Sequence, residues 1–112
     1  YSASVIPPAS DAKNKFDADH EKAYGQKAGV LSPYTWSGYD VTAALASAIK
    51  SVAVKGADGS LYVPRTALVA AVRGMKSYQG ITGDITCNET GECNTAGPTF
   101  YVIKDGQWVE AE

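Results

Sequence analysis

The sequence predicts a mixed α/β chain of three helices, a short N-terminal strand and a C-terminal β-hairpin. Three observations carry that expectation. Apolar residues recur at helical spacing in three stretches, around Phe16, Leu45 and Leu68. From Tyr78 onward the period changes from helical to extended. Near the end, Asp105-Gly106 separates two strand-like runs, 99–103 and 107–109, as in a hairpin with a two-residue turn. Three helices with few strands leave any sheet half-covered, so the apolar faces are expected to need further polypeptide to cover them.

Residues 1–7 read as a strand ended by Pro7-Pro8. Residues 13–24 read as the first helix, with Phe16, His20, Ala23 and Tyr24 on one face and Gly25 as its stop. The strongest helix follows. Ser37-Gly38-Tyr39-Asp40 is expected to cap it, with Asp40 meeting the positive end of the helix dipole, and Val41, Leu45, Ala48, Ile49 and Val52 follow at helical spacing. Ala43, Ala44, Ala46 and Ala53 on the other faces suggest packing on more than one side. Residues 55–60 form a turn-rich break, Leu61-Tyr62-Val63 a short extended piece, and Pro64 the first position of a third helix bearing Leu68, Ala71, Val72 and Met75. Ile85 and Thr86 lead into a cysteine loop and then the hairpin.

The 112 residues suit one small domain with a modest core: 45% are hydrophobic and 20% charged, with seven Tyr and two Trp. A net charge of −2 and no Lys/Arg cluster argue against a nucleic-acid partner. No apolar run approaches the roughly 20 residues of a membrane span. The opening at Tyr1, in a strand-like run without an initiator Met or a signal peptide, reads as the interior of a longer protein. The alternative is a mature chain whose leader was cleaved just before Tyr1.

Cys87 and Cys93 can close a short loop around Gly91 as a disulfide, which implies an oxidising compartment. The competing reading is half of a metal site, but His20, the single histidine, is remote in sequence. Asn88-Glu89-Thr90 also matches a glycosylation acceptor, meaningful only in a eukaryotic secretory pathway.

Four segments in order resemble the C-terminal third of branched-chain amino acid binding proteins, the type I periplasmic-binding group that serves ABC importers. They are Phe16, His20 and Tyr24-Gly25; then Pro33-Tyr34-Thr35-Trp36-Ser37-Gly38-Tyr39-Asp40-Val41; then Tyr78-Gln79-Gly80-Ile81-Thr82-Gly83-Asp84-Ile85; and finally Asp105-Gly106-Gln107-Trp108-Val109. Three departures stand out. His20 replaces a usual Tyr, 55–65 is longer than the common turn, and Cys87-Asn88 replaces a usual Phe-Asp.

The resemblance implies a fragment of a two-lobe α/β fold that holds its solute in the interlobe cleft. Residues 1–78 would belong mostly to the first lobe, 79–86 to the last crossover, and 87–112 to the cysteine loop and terminal hairpin of the second. It implies Tyr34 as an aromatic wall for the solute, an amino acid or similar small molecule, with Trp36 and Tyr39 as further contacts or as packing that fixes the segment. Gly80 and Gly83 bracket a segment that can act as a hinge, or simply form a tight loop. The implied partners are a membrane permease and the missing N-terminal lobes of the same protein, with a homodimer of the fragment as a further expectation from its uncovered edges. The implied location is periplasmic or extracellular, with anchoring through a missing N-terminus as one form.

No enzyme, metal or cofactor is expected. His20 lies on an apolar face with no nucleophile beside it, Gly80-Ile81-Thr82-Gly83 lacks the spacing and the Lys of a phosphate loop, and Glu110 and Glu112 form a solvated tail. The alternative function is a stand-alone exported structural or interaction domain.

Overall fold

A computed structural model describes the backbone of residues 2–4, 6–94 and 99–111, and the side chains of 6–94 and 100–111. Tyr1 and Val5 of the expected first strand, and Glu112 of the tail, lie outside the described residues. The element order is β1 (Ser2–Ser4), α1 (Asp11–Tyr24), α2 (Thr35–Val52), β2 (Val54–Lys55), β3 (Leu61–Tyr62), α3 (Arg65–Arg73), β4 (Tyr78–Gly80), β5 (Gly83–Cys87), β6 (Cys93–Asn94), β7 (Thr99–Lys104) and β8 (Gln107–Glu110). The chain forms two compact units: 1–38, 81–83 and 96–112 in one, 39–80 and 84–95 in the other.

In the first unit, α1 begins two residues earlier than the apolar spacing suggests. Ser10 is the reason: its Oγ accepts from the Lys13 N–H at 3.1 Å, satisfying one of the unpaired donors of the first turn. The expected stop at Gly25 is present, in the left-handed conformation at φ 70° with its N–H bonded to the Glu21 carbonyl. No residue of α1 is buried; Phe16 and His20 are half-buried, while Ala23 and Tyr24 are exposed.

The first unit also holds an antiparallel sheet of order β1-β7-β8. The β7–β8 hairpin has the expected two-residue turn, with Asp105 and Gly106 at φ 51° and 76°. Positive φ at both positions matches the right-handed twist of the flanking strands. Ile103 faces Trp108 across the ladder and Val102 faces Val109. Alternation therefore places apolar side chains on both faces of the hairpin, and Phe100, Ile103 and Trp108 are all exposed. Pairing of β1 with β7, Ser2 to Tyr101 and Ser4 to Thr99, joins the ends of the sequence.

The second unit contains most of α2, and of the expected face Ala48 is buried and Ile49 and Val52 are half-buried. The buried stripe runs Trp36, Asp40, Ala44 and Ala48, four residues apart, while Val41 is 67% exposed and Leu45 is exposed as well. Asp40 is not a first-turn acid: α2 starts at Thr35, and Asp40 lies beyond the first turn at 2% exposure.

Within the expected break, Lys55 belongs to β2 and 56–60 form the tight turn to β3, with Val54 opposite Tyr62. Pro64 serves as the N-cap of α3, one position ahead of the first helical place that the sequence suggests for it. The second sheet has order β4-β5-β6. Along β5, Ile85 and Cys87 are buried and Asp84 is exposed, as the period of two requires. Cys87 lies opposite Cys93 in the β5–β6 register, and the two form a disulfide. Asn88 closes the intervening loop: its Oδ1 accepts from the N–H groups of Thr90 and Glu92, each at 3.0 Å, and from the Thr90 hydroxyl at 2.7 Å.

Candidate ligand-contact site

The segment 32–40 is built around a turn that starts α2. Ser32 organises it. Its Oγ accepts from the Tyr34 N–H at 3.2 Å, and its carbonyl accepts from the Thr35 hydroxyl at 2.8 Å. The Tyr34 carbonyl then takes the first helical hydrogen bond, from the Gly38 N–H at 2.8 Å. Ser32-Pro33 is thus the helix-start signal, and the cap expected at Ser37 falls inside the helix.

This start puts the three aromatic candidates in different environments. Tyr34, just ahead of the helix, is 63% exposed, and Tyr39 is 50% exposed. Trp36 is 4% exposed. Its indole Nε1–H donates to Asp17 Oδ1 at 2.6 Å, and the Lys13 ammonium stands 4.8 Å from its ring centroid. Lys13 also pairs with Asp17 Oδ2 at 2.6 Å. Burial raises the Asp17 pKa, but the hydrogen bonds from Lys13 and Trp36 and the positive charges of Lys13 and His20 outweigh it, so the carboxyl lies below its ordinary range. On another side, a Cβ at Gly29 would lie 2.5 Å from the Trp36 ring, so the backbone approaches the indole as only glycine allows.

Next to this anchor is a cavity of about 160 Å³ lined by His20, Tyr24, Gln26, Lys27, Gly29, Leu31 and Thr35. The His20 ring packs against those of Phe16 and Tyr24 in tilted arrangements, with centroids at 5.8 and 4.8 Å, and its Nδ1 is 3.0 Å from the Gln26 carbonyl. His20 therefore holds the loop that leaves α1, in keeping with its place on the apolar face.

In the second unit, Gly80 ends β4 with its backbone against the carboxyl group of Asp40, where a Cβ would lie 2.5 Å from Oδ2. Gly83, the first residue of β5, has φ 124°, a conformation that disfavours any side chain. The contacts of Asp17 with Trp36 and of Asp40 with Gly80 lie beyond what the sequence alone discloses. The available signal is the four-residue spacing of Trp36, Asp40, Ala44 and Ala48 on one helical face. Among the described residues, no group of three or more His, Cys, Asp or Glu side chains is placed to hold a metal ion. Among them, too, no helix is long and apolar enough to cross a membrane.

With this geometry in place, comparison with solved structures finds a leucine-binding protein, LivK, from Thermotoga maritima. The superposition has a TM-score of 0.65 at 20% identity and covers 93% of this chain and 26% of that one. The fold is part of the type I periplasmic-binding architecture. At this identity the likeness concerns fold, and the chain spans about a quarter of the length of the protein it matches. No family model and no curated protein matches the sequence.

Proposed function

We propose that the chain is a portion of a solute-binding protein that captures an amino acid or similar small molecule and delivers it to the permease of an ABC importer. The observation that carries this reading is the likeness of nearly the whole chain to a leucine-binding protein. The disulfide between Cys87 and Cys93 is consistent with a periplasmic or extracellular location. In this reading the chemistry is reversible and non-catalytic. The lobes of the complete protein close on the solute, and the closed population grows by as much as that state binds better.

Tyr34 offers an exposed side chain to a solute, and Trp36, buried against Gly29 and Asp17, fixes the start of α2 beside it; Tyr39 is a second exposed candidate. The residues 80–83 serve as the last crossover. The exposed hairpin face bearing Ile103 and Trp108 is covered by the remainder of the protein or, in its absence, by a second copy.

Calorimetric titration with leucine and other aliphatic amino acids tests this reading. The 112-residue chain alone is expected to bind weakly or not at all, because most of the pocket lies in the rest of the fold. A longer protein, extended by a reading frame of roughly 200 to 250 residues ahead of Tyr1, is expected to bind, and Tyr34→Ala to weaken that binding by about tenfold or more. Micromolar binding by the short chain, or a signal peptide ending just before Tyr1, would remove the proposal. Light scattering tests the association of the short chain, which a clean monomer at high concentration would exclude.

A further inference from the structure

Gly80 and Gly83 have different physical reasons for being glycine, and the difference assigns a role to a third residue. Gly83 adopts a positive φ of 124°. Gly80 instead faces a side chain: a Cβ there would lie 2.5 Å from Oδ2 of Asp40, 2.7 Å from its Cγ and 3.0 Å from its Oδ1. The whole carboxyl group thus covers the Gly80 backbone. Asp40 is 2% exposed and stands on the buried stripe of α2 between Trp36 and Ala44, one turn away on either side, so a regular helix holds its backbone. A buried carboxyl in mid-helix is costly unless it is satisfied, and no buried side-chain polar atom among the described residues lacks a partner.

We propose that Asp40 is a positioning residue for the segment 80–83: its carboxyl group pins the backbone at Gly80, so that conformational change in the segment is taken up at Gly83. This rests on the reading of 80–83 as the crossover of a binding protein and refines it, since it gives the two glycines opposite roles. Gly80 is the fixed end, chosen for close approach, and Gly83 is the yielding end, chosen for backbone freedom.

A double-mutant cycle in the 112-residue chain tests the pinning without any solute, so its failure is separate from failure of the binding reading. Gly80→Ala is expected to lower the denaturation midpoint clearly in the native background and hardly at all in an Asp40→Ala background, because the space the new methyl needs is then open. Gly83→Ala is expected to have the same effect in both backgrounds. Should Asp40→Ala not fold, Asp40→Ser opens the same space with a short polar side chain and serves the same cycle. Equal effects of Gly80→Ala in both backgrounds would overturn the proposal. Amide hydrogen exchange provides a readout of position. Asp40→Ala is expected to speed exchange at residues 81–83 by about tenfold or more while leaving α3 unchanged. A uniform acceleration across the chain, which a merely stabilising role would give, would also overturn it.

Discussion

Trp36 and Asp17 are joined by a 2.6 Å hydrogen bond from the indole Nε1–H to Oδ1, across nineteen positions of the sequence. The bond ties the beginning of α2 to α1, and the Gly29 backbone lies against the same ring. The anchor is mixed in character: an apolar ring is buried, but one polar atom at its edge needs a hydrogen-bond acceptor.

Removing that acceptor is therefore expected to cost more than an ordinary surface change. Asp17→Ala leaves a buried N–H without a partner and should destabilise the chain by about 1–3 kcal/mol. In a Trp36→Phe background there is no N–H to strand, so the same substitution should cost appreciably less. Urea denaturation of the four proteins, followed by circular dichroism, measures the coupling.

The Asp17 carboxyl also makes acid stability informative. Its folded pKa lies below the usual 3.8, so in the folded chain it binds its proton less readily than in the unfolded chain. That contribution is fully present above the unfolded value and is lost as pH falls below about 4 through the folded value. Asp17→Asn is expected to flatten the acid limb of a stability–pH curve below about pH 4 while lowering its plateau near neutrality. A curve for the variant parallel to that of the native chain would show that another group sets the acid limb.

Two glycines in the first unit share a positive φ but differ in surroundings. A methyl group added at Gly25 would meet nothing within 4 Å, whereas one added at Gly29 would lie 2.5 Å from the Trp36 ring. Gly25→Ala should cost about 1 kcal/mol, from backbone conformation alone. Gly29→Ala adds overpacking against a buried indole, and a total of about 2–4 kcal/mol is expected. Thermal melts of the two variants should separate them plainly.

The disulfide closes a loop with a sequence separation of 6. Loop-closure entropy for so short a loop amounts to about 2 kcal/mol. Reduction with excess dithiothreitol, or the Cys87→Ser/Cys93→Ser pair, is expected to lower the melting temperature accordingly. Since Cys87 is 1% exposed and its carbonyl accepts from Lys76 Nζ at 2.6 Å, the β5–β6 end of the sheet should show the largest rise in hydrogen exchange.

Local chemistry is legible wherever neighbours in the sequence decide it. Asp105-Gly106 specifies its turn because both positions tolerate positive φ, and Gly25 ends α1 for the same reason. The cysteine spacing allows a disulfide or half of a metal site, and the structure shows the disulfide. Helix starts are harder: Ser10 and Ser32 compete with other polar residues nearby, and the geometry of the whole turn decides which hydroxyl or carbonyl meets the free N–H groups.

Hydropathy misleads most at the face of α2. It favours Val41 and Leu45 along with Ala48, yet Val41 and Leu45 are exposed and the structure buries Asp40 and Ala44 beside Ala48. A pattern of apolar residues can report a face that some neighbour covers, but it does not say which neighbour. Val41 and Leu45 remain exposed while the small residues Ala44 and Ala48 are buried.

By itself the sequence determined the three helices, the hairpin turn and the helix stop, because each depends on backbone preference or on residues a few positions apart; the short strands β2, β4 and β6 needed the pairing partners that the fold supplies. Only the tertiary structure decided which candidates are held and which are presented: Trp36 buried on Asp17, Tyr34 and Tyr39 exposed, and Asp40 laid against Gly80. Those outcomes depend on close approaches between distant segments, where a single missing Cβ or one acceptor oxygen settles the packing, and no local pattern encodes them.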